Sequence, residues 1–178
     1  MASTADTETD RGSPFWRFSL GFYRRPGVAD ACIALQDGCG VDVNVLLFFL
    51  WLAAAKRLVG DADVQAISGK AGGWRDDVVV PLRTLRRKLK DGSALVERGT
   101  AEVFRTRIKA IELESERLEQ EALFGLASGL AAPAAPTVEA AARDNVAAYE
   151  RAIGRSFPPA AVAVMLAALP AADPAGTP

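Results

Sequence analysis

The sequence predicts an all-α protein: a compact helical bundle around a buried central apolar helix at about residues 43–58. A long charged amphipathic helix at about 100–126 and a helical C-terminal extension complete the predicted bundle. Three observations support this fold class. Residues 45–55 carry no polar side chain, apolar residues elsewhere recur at helical spacing, and Ser, Asp and Pro occupy positions typical of helix starts.

Composition limits both the size of the fold and its chemistry. A chain of 178 residues can bury one sizeable core, and its net charge of −1 provides no general attraction to nucleic acid or to an anionic membrane. The absence of histidine excludes Ser-His-Asp and Cys-His catalysis and two-His metal sites. Cys32 and Cys39 are predicted to be buried free thiols, as in a reducing cytoplasm. We therefore predict a cytoplasmic protein with no cofactor and no metal.

The N-terminal region predicts a disordered tail and then two short helices. Residues 1–12 are polar and acidic and lack the features of a signal peptide. Ser13 can cap a helix with proline in its first turn, and Pro26 can start a second helix that ends at Gly38 or Gly40. Both helices carry apolar residues at helical spacing: Phe15, Phe18 and Phe22 in the first, and Val28, Ala31, Cys32 and Leu35 in the second.

The central helix is predicted to be capped by Asp42 and buried on all sides. Its apolar stretch is well short of the roughly 20 residues needed to cross a bilayer. Polar residues flank it at both ends, namely Asp42 and Asn44 before it and Lys56 and Arg57 after it. A short helix that is apolar all round is typical of a protein core, so we expect no membrane span.

The segment between the central and the long helix is predicted to form two helices separated by a loop. Asp61 can cap a short helix through Ile67, and the glycine-rich stretch 68–74 is expected to break it. That stretch lacks the pattern of a phosphate-binding loop, since Ala71 stands where Ser or Thr would coordinate magnesium. The start of the second helix is limited by Pro81. It is expected to bury an apolar stripe, Val78, Leu82, Leu85 and Leu89, and to expose a basic surface, Arg83, Arg86, Arg87, Lys88 and Lys90.

The long helix combines an apolar stripe with acidic faces. The stripe follows alternating steps of four and three: Phe104, Ile108, Ile111, Ser115, Leu118 and Ala122. The acidic residues are Glu112, Glu114, Glu116, Glu119 and Glu121. A basic helix followed closely by an acidic one predicts that the two pair, within the fold or across a dimer. The alternatives are a protein partner for the basic surface and, less favoured, nucleic acid bound through residues 83–90.

The predicted core domain, residues 13–127, is followed by a Pro/Ala linker at 128–137. A C-terminal helical pair is predicted at 138–169. Its second helix is nearly all apolar, so we expect it to dock on the core or on a partner. The last residues, 170–178, are predicted to be disordered.

Three stretches of the sequence resemble one protein family. They are FWRFSLGFYRRPGVADACIALQDGCGVDVNVLLFFLWLA, VVVPLRTLRRKLK and KAIELESERLEQEAL, and the resemblance covers residues 15–126. On these stretches the chain resembles a family of uncharacterised proteobacterial proteins of about this length, known as a domain of unknown function. The resemblance implies a small, soluble, mainly helical bacterial protein, and it implies no reaction, cofactor or partner.

Three function classes remain open. The favoured hypothesis is a non-enzymatic adaptor or regulatory protein that binds a protein partner or a second copy of itself. The alternative is a binder of a small apolar or amphipathic molecule within the bundle. The least favoured hypothesis is an enzyme that uses Asp37 and Asp42 as a carboxylate pair.

The sequence indicates six candidate binding residues: Gln36, Asp42, Asn44, Arg83, Arg86 and Arg87. The first three flank the turn before the central helix and could orient the polar end of a ligand beside an apolar wall. The arginines could contact an acidic partner. Ligand binding predicts a cavity near Asn44 and Trp51, whereas a solid core would count against it. Three tryptophans, Trp16, Trp51 and Trp74, are large enough to line such a cavity.

Overall fold

The fold of residues 12–92 and 94–170 is described by a computed structural model of the protein. In chain order the helices are α1 (Pro14–Tyr23), α2 (Val28–Cys39), α3 (Val43–Ala54), α4 (Asp61–Trp74), α5 (Val80–Lys88), α6 (Arg98–Leu126), α7 (Val138–Ile153) and α8 (Pro159–Ala168). A π-helical turn, Arg75–Val79, joins α4 to α5, and 3-10 turns at Leu89–Asp91 and Ala127–Gly129 follow α5 and α6.

The predicted all-α class is confirmed. Within the described ranges, the β structure is limited to an isolated bridge between Arg57 and Ala134. The two predicted disordered tails lie outside those ranges, apart from Gly12 and Pro170. The division into a core domain at 13–127 and a C-terminal pair stays a prediction.

The helix starts follow the local sequence signals. The Ser13 hydroxyl accepts a hydrogen bond from the backbone N–H of Trp16, 3.1 Å away, and proline occupies the first turn of α1. Asp42 caps α3 by accepting from the N–H groups of Asn44 and Val45. Helix α2 ends at Gly40, whose φ of 69° lies in the left-handed region that favours glycine.

Helix α3 forms the centre of the core, as predicted. Its residues from 44 to 53 are all buried. Phe48 packs edge-on against Phe15 of α1, with ring centroids 5.3 Å apart, and Trp51 lies against the Phe124 ring of α6. Among the helices of the described ranges, none is both long and apolar enough to span a membrane.

The central helix is shorter than the predicted 43–58, because the chain turns sharply after Ala54. Lys56 adopts a φ of 58°, and the following residues bond to the linker after α6 instead of continuing the helix. The Leu58 N–H donates to the carbonyl of Pro133 at 2.9 Å, and the Ala135 N–H donates to that of Lys56 at 2.7 Å. These tertiary bonds replace one helical turn.

The prediction of a loop at residues 68–74 is wrong. Helix α4 runs through the glycines to Trp74 and continues through the π turn into α5. Each glycine costs up to about 1 kcal/mol in a helix. Burial of Val64 and Ile67 and a hydrogen bond from the Trp74 indole to the Ser115 carbonyl, 3.0 Å long, offset that cost.

The prediction that the second helix of this region buries an apolar stripe is also wrong in part. Helix α5 has no buried residue, and Leu85 is exposed. The residue that reaches the core is Val79 of the π turn. Pro81 is the second residue of α5, where its missing N–H is tolerated directly after the π turn.

The two C-terminal helices dock on the core, as expected for the apolar one. Asn145 of α7 is fully buried and holds the end of α3: its Nδ2 donates to the carbonyls of Phe49 and Arg57, at 3.1 and 3.0 Å. Its Oδ1 accepts from the Val59 N–H at 2.9 Å. Met165 of α8 belongs to the same hydrophobic cluster.

The two cysteines are free, as predicted, but their environments differ. Cys32 is buried, and burial raises the pKa of its thiol to about 12. Cys39, predicted to be buried, is only half-buried.

Candidate functional site

A cleft of about 550 Å³ opens between α1, α2, the start of α3, the π turn, α5 and α6. All six predicted binding residues line it: Gln36, Asp42, Asn44, Arg83, Arg86 and Arg87. Gln36 lies in the last turn of α2, Asp42 caps α3, Asn44 lies in its first turn, and α5 supplies the arginines. The six residues thus come from three helices and lie up to about fifty positions apart in the sequence.

The floor of the cleft is a buried hydrogen-bond network between α3 and α6. The Asn44 Nδ2 donates to Glu119 Oε2 at 2.8 Å, and the Asn44 Oδ1 accepts from Gln120 Nε2 at 2.7 Å. All three side chains are buried. Because Asn44 satisfies one atom of each partner, it fixes the two α6 residues relative to the cap of α3.

With its carboxyl groups ionised, the cleft lining contains four buried polar atoms without a hydrogen-bond partner. Six such atoms occur in the described ranges, and the four in the cleft are Ser19 Oγ, Asp42 Oδ2, Glu119 Oε1 and Gln120 Oε1. An unsatisfied buried polar group costs about 1–3 kcal/mol, and proteins normally avoid it. Because four of these unpartnered atoms lie in one cleft, its lining differs from the rest of the core.

Two of these oxygens belong to a coupled carboxyl pair, Asp42 and Glu119. Burial, the neighbouring charge of Asp42 and their hydrogen bond raise the pKa of Glu119 to about 9. Burial also raises the pKa of Asp42, against the hydrogen bonds that it accepts. Two ionised carboxylates cannot donate to each other, whereas a single shared proton satisfies one oxygen of each. At neutral pH the pair therefore holds one proton.

One wall of the cleft is formed by ion pairs between α5 and α6. Arg83 Nε lies 3.0 Å from Glu112 Oε1, and its Nη2 lies 2.6 Å from Glu116 Oε1. Arg86 also pairs with Glu112. Burial raises the pKa of Glu112, but the hydrogen bonds from Arg86 and Arg83 outweigh it and hold the pKa below its usual range. The predicted pairing of the basic and acidic helices within the fold is present.

Asp37 and Asp42, the candidate catalytic pair, have different partners. Asp37 accepts from Arg87 Nη2 at 3.2 Å in an exposed ion pair near the rim and does not line the cleft. The pKa of Asp37 is lowered, mainly by the hydrogen bond from Arg87. Asp42 instead shares a hydrogen bond with the carboxyl group of Glu119.

The remaining lining of the cleft includes an apolar wall. Its members come from α1, α2, α3 and α6 and include Trp16, Leu20, Ile33, Leu47 and Leu113. Of the three tryptophans considered for such a wall, only Trp16 takes part. Trp51 lies one turn beyond Leu47 on α3, buried against Phe15 and Phe124, and Trp74 contacts α6 outside the cleft. The cleft thus has an apolar wall, a polar floor and a charged wall.

Sequence reasoning missed the α6 residues of the floor, Glu119 and Gln120. Glu119 was grouped with the solvated glutamates of the acidic helix. It lies four residues after Ser115 and eleven after Ile108, both buried, so helical geometry puts it on the same face. A glutamate on a buried stripe is rare without a partner, and that was the available signal.

The site shows no arrangement typical of a metal centre. In residues 12–92 and 94–170, no group of three or more Cys, Asp or Glu side chains is placed to hold a metal ion. The functional groups available are carboxyl, amide and hydroxyl oxygens beside an apolar surface.

Comparison with known proteins identifies the family of the chain. Residues 14–123, more than half of its length, match the family described as "Protein of unknown function (DUF2390)". Neither the curated proteins nor the solved structures contain a match. The match ends close to the predicted limit of 126, and it includes every residue that lines the cleft, from Trp16 to Gln120. The chain therefore belongs to the DUF2390 family of proteins of unknown function.

Proposed function

We propose that this protein binds a small amphipathic molecule in the cleft and does so without catalysis. One observation carries the proposal: with the carboxyl groups ionised, four of the six unpartnered buried polar atoms of the described ranges lie in this single cleft. A ligand with a polar head would complete their hydrogen bonds, and its apolar body would cover the apolar part of the lining.

The size and composition of the cleft support this proposal. Ligand sites typically occupy roughly 300–1,000 Å³ and combine an apolar lining with a few fixed polar groups. The cleft of about 550 Å³ falls in that range, and the Asn44 network fixes its floor. The ligand-binding hypothesis required an open cavity beside Asn44, and one is present there, although Trp51 is not part of it.

Binding of simple amphiphiles tests this proposal directly. We would measure saturation-transfer NMR signals for three six-carbon compounds: n-hexylammonium chloride, n-hexanol and sodium n-hexanoate. Leu20→Trp places a larger side chain in the cleft wall, and Leu85→Trp adds the same side chain on α5 outside the lining.

We expect at least one amphiphile to give a signal with the wild type and with Leu85→Trp, and to lose it with Leu20→Trp. Absence of every signal from the folded wild type would overturn the proposal. Equal signals from both variants would place binding elsewhere and would overturn it as well.

We also propose self-association, because α6 carries an uncovered apolar stripe. Phe104, Ile111 and Leu118 recur every seven residues and are 49%, 52% and 46% exposed. Residues spaced in this way form the seam of paired helices. This observation supports the interaction hypothesis through a different surface from the basic helix, whose Arg83 and Arg86 pair with α6.

The charges beside the stripe favour a second copy in antiparallel orientation. Arg107 lies four residues before Ile111 and has no ion-pair partner among the described residues. Glu114, which also pairs with Arg117 of its own helix, lies three residues after Ile111. A two-fold axis through Ile111 would bring Arg107 of each copy close to Glu114 of the other. Opposite charges that flank an apolar seam set the orientation of paired helices.

A further inference from the structure

The unpartnered oxygens of the floor indicate the chemistry of the ligand's head group. When the carboxyl groups are ionised, three of the floor oxygens are acceptors only and cannot donate a hydrogen bond. They are Asp42 Oδ2, Glu119 Oε1 and Gln120 Oε1. The fourth atom, Ser19 Oγ, is a hydroxyl that can also donate. A protonated primary amine carries three N–H donors and no acceptor, so its donors match the three oxygens in number and kind.

The carboxyl pair gives the floor an affinity for positive charge. Three other charged or titratable groups face the pair: Arg75 of the π turn, Glu116 of α6 and Tyr149 of α7. Arg75 is already engaged with Asp76, 2.8 Å away, and its Nη2 donates to the carbonyl of Gly40. Arg83 is likewise held by Glu112 and Glu116. The positive charges nearest the floor thus have partners, whereas the carboxyl pair is balanced by a proton alone.

An organic cation fits the remaining surfaces of the cleft. The apolar wall can cover a hydrocarbon tail. Two aromatic residues of α1, Trp16 and Tyr23, are among the lining residues, and aromatic faces attract cations. Gln120, 4% exposed, keeps an unpartnered oxygen even when Asp42 and Glu119 share a proton. That oxygen can accept a hydrogen bond from a donor on the ligand.

We propose that the ligand is an amphipathic primary amine, bound as its ammonium ion, which replaces the proton shared by Asp42 and Glu119. This inference rests on the proposed ligand-binding function. The ammonium donates to the three floor oxygens while the proton leaves to solvent. One positive charge enters and one leaves, so the charge of the site is unchanged, and the tail lies along the apolar wall.

Isothermal titration calorimetry measures both parts of this proposal. The wild type is titrated at pH 7 with n-hexylammonium chloride, n-hexanol and sodium n-hexanoate, each in two buffers of different ionisation enthalpy. We expect n-hexylammonium to bind at least about tenfold more tightly than n-hexanol, a typical gain for one charge-assisted hydrogen bond. The buffer dependence of its binding enthalpy should report proton release. Ammonium chloride should bind far more weakly because it has no tail.

Two variants assign the effect to the carboxyl pair. Glu119→Gln removes the carboxyl group that carries the shared proton, so binding should no longer release a proton, and n-hexylammonium should bind more weakly because it meets one carboxylate instead of two. Glu139→Gln, an exposed change on α7, should leave both the affinity and the proton release unchanged. Thermal melts establish that the variants fold, and if Glu119→Gln does not fold, proton release by the wild type still decides.

The failures of the two proposals are distinguishable. Equal or tighter binding of n-hexanol or n-hexanoate would overturn the ammonium head group and leave ligand binding intact. Binding of n-hexylammonium without proton release would overturn the exchange with the shared proton. No binding by any of the three amphiphiles would overturn both proposals.

Discussion

Single residues of this protein have roles that depend on the helix that faces them. Asp42 is a helix cap, as predicted, but its carboxyl group also shares a hydrogen bond with Glu119 on the floor of the cleft. The cap follows from local sequence because it needs only the next three residues. The carboxyl pair joins positions 42 and 119, and local spacing contains no information about a contact at that separation.

The pH dependence of stability tests the pair. Because the pKa of Glu119 is raised from 4.5 to about 9, the folded protein keeps a proton that the unfolded chain releases. The stabilisation is complete below about pH 4.5 and is lost as the pH rises toward 9. Asp42, whose pKa is also raised, acts in the same direction. Urea unfolding at several pH values should show this fall.

Glu119→Gln should flatten the fall by about 1–3 kcal/mol, because an amide avoids the cost of a buried charge. The control Glu139→Gln, at an exposed position of α7, should keep the wild-type profile. A wild-type stability that stays constant or rises between pH 5 and 9 would contradict the assignment of a shared proton.

The ion pairs between α5 and α6 give a second prediction at this scale. Arg86→Glu should destabilise the fold by about 2–3 kcal/mol, because it places a second negative charge beside buried Glu112. Arg87→Glu changes an exposed pair and should cost at most about 1 kcal/mol. Thermal denaturation compares the two variants, and equal melting temperatures would mean that the buried pair contributes no more than the exposed one.

At the scale of helices, a long apolar stretch was a more reliable guide to the structure than residues that usually break a helix. Helix α3 was found because its apolar stretch can only be placed in a core. Helix α4 was predicted too short because its glycines were treated as a break, whereas packing and the bond from Trp74 to α6 maintain the helix. The early end of α3 was also unforeseen, since it depends on bonds to residues 133–135.

Asn145 connects these elements, and its replacement tests how α7 is held to α3. Asn145→Ala removes three hydrogen bonds, two to the carbonyls of Phe49 and Arg57 and one from the N–H of Val59, so we expect a loss of about 2–4 kcal/mol. Asp144→Ala, at the exposed neighbouring position, should have little effect. Chemical denaturation measures both. A loss below about 0.5 kcal/mol for Asn145→Ala would show that α7 is held by apolar packing alone.

At the scale of the whole molecule, the sequence led to the correct fold class and to the family, and it identified six residues that line one cleft. The cleft itself could not be predicted, because it depends on how α1, α2, α5 and α6 surround the start of α3. Its lining comes from several helices. The spacing of apolar residues within one helix does not determine where that helix lies relative to the others.

Self-association is a property of the whole molecule. Ile111→Glu should convert a dimer to a monomer, because it places two like charges at the centre of the proposed seam. Leu85→Glu, on an exposed position of α5, should leave the association unchanged. Sedimentation velocity at several concentrations measures the species present. A monomeric wild type would contradict the proposed seam.

The most direct test of ligand binding is an NMR titration that follows the side-chain amides of Asn44 and Gln120. The ¹⁵N-labelled protein is titrated with n-hexylammonium chloride and, in a separate sample, with n-hexanol. We predict that at least one of these amphiphiles shifts both side-chain amide signals together with the backbone signals of residues 42–44. Shifts confined to other surfaces, such as the stripe on α6, or no shifts at all would contradict a ligand site in the cleft.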